Sequence, residues 1–225
     1  MAARARTRDR TGVSERPFAA PSRSWLWLCA LHATASLLVW WSGQHTAESP
    51  LVWRAADWAH QPWTLWTSAW AHLNAPHLIA NLLAMGGVAA AGWVLRPDAR
   101  CTVAWLLAWP LSQISLLVWP QVAYAAGLSG LMHTGTLLLA VQLALGRLRG
   151  GRWWGLLLMW GVLTKVLLEH GWSKPLVWEP DTGIQVVQAA HVAGAFWGVA
   201  LGLVVALWPP RRPGRGAKKP AEAGS

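Results

Sequence analysis

Apolar residues in this chain gather into long blocks separated by short segments that hold most of the charge. A helix needs about 20 mostly apolar residues to cross the hydrocarbon layer. Stretches near 25–42, 76–95, 101–119, 127–145, 153–169 and 187–208 approach or meet that length. Lipid offers no partner to an open backbone amide, and no segment shows the alternation of a barrel strand, so the pattern predicts six spanning helices. The fold class expected is an all-α membrane protein, a six-helix bundle.

Charge placement predicts orientation. Arg4, Arg6, Arg8, Arg10, Arg16 and Arg23 precede the first block, and Arg96 and Arg100 lie between the second and third. Arg147, Arg149 and Arg152 lie between the fourth and fifth, and Arg211, Arg212, Arg215, Lys218 and Lys219 follow the sixth. These are alternate connections, so the positive-inside rule puts both termini in the cytoplasm. The net charge of +10 is thereby accounted for by topology, without a nucleic-acid partner.

The first block follows a basic stretch as a signal peptide would, but it lacks a small-residue cleavage site and is expected to be retained. The tails, 1–24 and 209–225, are rich in Arg, Pro, Gly and small polar residues and are expected to be disordered. Between them, 25–208 reads as one membrane domain. Its longest connection, about 43–71, carries Trp53, Trp58, Trp63, Trp66 and Trp70. Indole favours the headgroup region, which predicts a segment lying on or partly in the outer leaflet. Gly194, Gly198 and Gly202 recur at a helix-packing interval. Cys29 and Cys101 fit neither a disulfide framework nor a thiolate zinc site.

Polar side chains inside spans are costly, and those facing the bundle interior are functional by default. His72, Asn74, His77 and Asn81 fall at the outer end of the second span. Ser129 and His133 fall near the outer start of the fourth, and His191 near the outer start of the sixth. The arginine-based topology places all of them on one side. Ser129, in Gly127-Leu128-Ser129-Gly130, reads as a nucleophile with bare backbone around it, or as a serine bonding back to a carbonyl one turn earlier. His191 suits a general base at neutral pH, or a buried structural histidine. His77 and Asn81, four residues apart, share one helix face and offer N–H donors for an oxyanion, or satisfy the loop backbone. No Asp or Glu lies in the second, fourth or sixth span, so the machinery expected is a dyad.

GLSG at 127–130, HLIAN at 77–81 and AHVAG at 190–194 resemble the motifs of the rhomboid intramembrane proteases in order and spacing, over roughly residues 25–208. The resemblance implies an intramembrane serine endopeptidase with Ser129 as nucleophile and His191 as base. It also implies an oxyanion site of His77, Asn81 and the Ser129 N–H, and a structural role for His72. A finer resemblance is to the rhombosortase branch, with its GxSGxxHG-like motif. Here the run from Gly127 through Ser129 to His133 departs by interposing Thr134 before Gly135. That branch implies exported, membrane-tethered substrates cut at a carboxy-terminal Gly-Gly sorting signal, in a bacterial inner membrane with the site facing the periplasm. Many rhomboids stack an aromatic on the catalytic histidine where His133 stands, so His133 either lines the site with Gly127 or simply packs. No metal or cofactor is expected. A histidine metal site or transporter built from His72, His77, His133 and His191 lacks carboxylate or thiolate partners, and no HExxH occurs. The remaining alternative is a non-proteolytic rhomboid-like protein that binds transmembrane clients.

Overall fold

The computed structural model describes residues 23–181 and 183–208. Nearly all of both basic tails therefore lies outside the described residues. The elements in chain order are α1 (Ser24–Trp41), β1 (Trp53–Arg54), α2 (Thr64–Thr67), α3 (Ala75–Leu95), α4 (Ala99–Ile114), β2 (Tyr124–Ala125), α5 (Ser129–Ala144), α6 (Arg152–Glu169), β3 (Leu176–Glu179), β4 (Ile184–Val187) and α7 (Gln188–Leu207). The six long helices coincide with the six apolar blocks. α1, α3, α7 and α4 with its 3₁₀ continuation to Val118 are long and apolar enough to cross a membrane. α5 has 16 residues, roughly 24 Å of helix, and α6 carries Arg152, Lys165 and Glu169.

α5 is the hub. It packs on α3, α4, α6 and α7, and almost all of its side chains from Leu131 to Leu143 are buried. A helix walled by protein on every side needs no lipid-facing length, which accounts for its shortness. Outward-facing Trp27, Leu83, Trp93, Trp153, Trp160 and Leu207 are instead strongly exposed. So large an apolar exterior belongs to a protein that sits in lipid.

α5 and α7 meet through glycine. A side chain at Gly194 would collide with the Gly130 carbonyl, and one at Gly198 would come within 2.7 Å of the Thr134 carbonyl. Gly202 faces Leu138 and Val141. The pairs 130/194, 134/198 and 138/202 keep a constant offset, so the two helices run parallel and in register. Close backbone approach brings polar rungs with it: Thr134 Oγ1 donates to the Gly194 carbonyl at 3.0 Å, and Gln142 Nε2 to the Gly202 carbonyl at 2.5 Å. Elsewhere Trp25 stacks on Trp105 with centroids 4.4 Å apart, in space left by Gly92 and Gly135. Both indole N–H groups are satisfied, by the Val88 and Leu131 carbonyls.

Helix ends follow local chemistry. Asn74 Oδ1 accepts from the His77 N–H at 2.8 Å and starts α3, and Asp98 accepts from the Arg100 and Cys101 N–H groups and starts α4. The arginine-bearing connections gather at one end: Arg100 Nη1 donates to the Trp208 carbonyl at 2.7 Å, and Gly150 lies against Leu95 and Leu143.

Two features differ from the sequence expectation. Short antiparallel strand pairs, β1–β2 and β3–β4, occur in the connections, so the fold is mostly rather than wholly helical. The tryptophan-rich segment is also less superficial than indole chemistry suggests. Trp63 and Trp66 are exposed, but Trp53 is fully buried and Trp70 donates to His32 Nδ1 at 3.1 Å. The reason is that β1 pairs with β2 just ahead of α5, drawing the segment onto the protein core.

Replacing Gly194 by Ala pushes a methyl into the α5 backbone and should lower stability by about 1–3 kcal/mol, read as a fall in Tm in detergent. Gly161→Ala, at a position with nothing within 4 Å, should leave Tm unchanged or slightly raised.

Candidate active site

Ser129 is the first residue of α5 and is half-buried. The turn before it is braced twice: Tyr124–Ala125 pair with Trp53–Arg54, and the Gly127 N–H donates to the Ser68 carbonyl at 2.9 Å. Gly127 has φ +107°, in the left-handed half of conformational space that glycine tolerates and other residues avoid. Its missing side chain matters as well. A Cβ there would stand 2.5 Å from His77 Cε1, 2.9 Å from His77 Nε2 and 3.4 Å from Asn81 Nδ2. Two potential N–H donors of α3 thus converge on bare backbone two residues before the serine.

Asn81 is fixed by His72. The His72 Nδ1–H donates to the Trp70 carbonyl at 3.0 Å, and its Nε2 accepts from Asn81 Nδ2 at 3.0 Å. That pattern needs a neutral ring, and burial, with His77 alongside, pushes the His72 pKa down to about 4. His77 Nδ1 is buried without a hydrogen-bond partner among the described residues. Ser129, His77 and Gly127 line a cleft between α3, the turn before α5, and β4, whose residues Gln185 and Val186 form part of its wall.

His191 sits on the first turn of α7 and is buried. Ser129 directly precedes Gly130 and His191 directly follows Ala190, and these neighbours are in close contact at the start of the α5–α7 seam. A Gly130 Cβ would lie 2.9 Å from the Ala190 carbonyl oxygen. Among the described residues no hydrogen bond joins the Ser129 hydroxyl to the His191 ring in this arrangement. Catalytic hydrogen bonds commonly tighten only when substrate is bound.

Behind the serine, His133 and His191 stack with centroids 4.4 Å apart and planes at 20°. The His133 Nδ1–H donates to the Ser129 carbonyl at 2.7 Å, and its Nε2 faces Lys165 Nζ at 3.3 Å. His191 Nδ1 lies 2.7 Å from Glu169 Oε2, and Lys165 is ion-paired to the other carboxylate oxygen.

Six of the residues singled out from the sequence fall into two adjoining groups. Gly127, Ser129 and His77 line the cleft with the Asn81 amide beside Gly127, and His133 and His191 form the stack behind it. Glu169 is the member that sequence reasoning does not find. The dyad expectation rests on carboxylates of the second, fourth and sixth spans, whereas this one ends the fifth. The four histidines set aside above as a metal site divide into two ring pairs, His72 with His77 at 5.1 Å and His133 with His191 at 4.4 Å. Ligating atoms of His133, Glu169 and His191 do lie within 4.8 Å of one another, a donor set of the types zinc accepts. The Lys165 ammonium, held by Glu169 and next to His133, already supplies a positive charge at that place.

A family model described as the Rhomboid domain matches residues 59–208, two thirds of the 225-residue chain. The match takes in α2 to α7 and every residue of the site. No curated protein is significantly similar to the chain.

Proposed function

The chain belongs to the rhomboid family of intramembrane serine proteases, and from that premise we propose that it is a serine endopeptidase with Ser129 as nucleophile and His191 as general base. The observation that carries this reading is the convergence of His77 Nε2 and Asn81 Nδ2 on the bare Gly127 backbone, beside the glycine contact that puts the starts of α5 and α7 together. The Ser129 proton passes to His191 Nε2 as Oγ attacks the scissile carbonyl. The developing oxyanion accepts hydrogen bonds from His77, Asn81 and the Ser129 N–H. His191 then returns the proton to the leaving amine, and a water releases the acyl group.

All six long helices cross the membrane in this reading, both termini are cytoplasmic, and the cleft opens toward the outer face. In a bacterial inner membrane that face is the periplasmic one. Substrates are membrane-anchored exported proteins whose helices unwind near the outer surface. Small, helix-breaking residues suit the cut, because the scissile peptide must leave its helical hydrogen bonds. The GLSG…His133 run favours a rhombosortase-like preference for carboxy-terminal Gly-Gly tails.

Purified protein should cut a membrane-tethered Gly-Gly reporter and react with a serine-directed fluorophosphonate. Ser129→Ala and His191→Ala should do neither, and cleavage by either variant would sink the assignment. If Ser129→Ala instead keeps the cellular function, client binding without proteolysis is the better description. Asn81→Ala should lower kcat on the order of 100-fold, as the loss of one oxyanion donor does. Gly127→Ala should abolish fluorophosphonate labelling, since the new methyl displaces His77.

A further inference from the structure

We infer that Glu169 is a positioning residue for His191, completing a Ser129–His191–Glu169 relay that Lys165 and His133 hold in place. The inference rests on the protease reading above and adds a member to its machinery.

Hydrogen-bond valence is the starting point. An ionised carboxylate only accepts, so the 2.7 Å contact between Glu169 Oε2 and His191 Nδ1 requires the proton on Nδ1. The neutral ring then has its lone pair on Nε2, the one nitrogen free to take a proton from a hydroxyl. An imidazole without such a partner divides its proton between both nitrogens and is free to turn about χ2. Here the ring is fixed in its plane by the carboxylate and across its face by the His133 stack at 4.4 Å.

The carboxylate is itself held. Glu169 is the last residue of α6, where unpaired carbonyls make a negative charge unfavourable. Lys165, one turn earlier on the same face, pairs with Oε1 and leaves Oε2 to His191. The same ammonium lies 3.3 Å from His133 Nε2, which fixes the His133 proton on Nδ1, facing the Ser129 carbonyl. The chain of contacts therefore starts at the nucleophile's own backbone and runs through His133, Lys165 and Glu169 to the base. An acid at a helix C-terminus has little stabilising value there, whereas an acid aimed at Nδ1 of a proposed general base has a chemical one.

The test uses full-length protein in detergent or proteoliposomes, scoring reporter cleavage and fluorophosphonate labelling of Ser129. Glu169→Gln should lower kcat by up to about 10⁴-fold, the loss seen when the third member of a serine triad is replaced, with KM within about threefold. Its effect should equal or exceed that of Glu169→Ala, because a Gln amide N–H can donate to Nδ1 and shift the proton onto Nε2. Formate should restore part of the Glu169→Ala rate and isosteric, neutral formamide should not. The side chain borders an open cavity lined by Trp160, Lys165, Lys174 and Gln188 that would admit the small anion. A purely structural carboxylate would lower Tm and gain nothing from formate. Near-wild-type labelling of Glu169→Gln, or no formate rescue of folded Glu169→Ala, overturns the inference. If Ser129→Ala is inert in the same assays, the protease reading survives that outcome. If Ser129→Ala still labels and cleaves, the protease reading has failed instead.

Discussion

The contact between α5 and α7 is the constraint on which the rest depends. Two helix backbones touch where Gly130 meets Gly194 and where Thr134 meets Gly198, with no side chain between them. In lipid, association cannot draw on the hydrophobic effect between apolar helices, so close packing and interhelical hydrogen bonds have to supply it. The Thr134 and Gln142 rungs provide those bonds on the same seam. Because the seam is tight at the start of both helices, the turns that carry Ser129 and His191 are held side by side as well. The other long helices around the hub each contribute something distinct. α3 brings two N–H donors, α6 brings the carboxylate and its lysine, and α4 buttresses the hub.

The connections do more than join spans. β1 lies against β2, and Ser68 holds the Gly127 N–H, so the turn that must adopt a left-handed glycine conformation is fixed from outside the bundle. This explains why a segment rich in tryptophan buries one indole completely while leaving two exposed. One part is core and the other is surface.

Much of this architecture is legible in the sequence. The bounds of the six helices follow the apolar blocks closely, because loss of backbone hydrogen bonding in lipid leaves few alternatives to a helix. Ser129, His77 and Asn81 stand out since polar groups within apolar blocks are few, and Gly127 stands out as a glycine two residues before the serine. The strand pairs do not, being two to four residues long and set by tertiary pairing rather than by any alternation. Glu169 is readable in principle. The arginine topology puts the end of the fifth block on the same side as Ser129, and Lys165 four residues earlier marks the acid as one that needs a partner. It is inconspicuous because it lies at a helix end, where a charge is ordinary, and because it belongs to a span that carries none of the motif residues.

The constant offset between the two central helices restricts how this protein can change length. One residue gained or lost between His191 and Gly194 would turn the imidazole by about 100° about the helix axis, away from Glu169 and from the His133 ring. The same change in 145–151 would fall outside both helices and leave that geometry in place. The first turns of α5 and α7 therefore behave as a fixed gauge, and a change of length that preserves it has to lie outside the two helices.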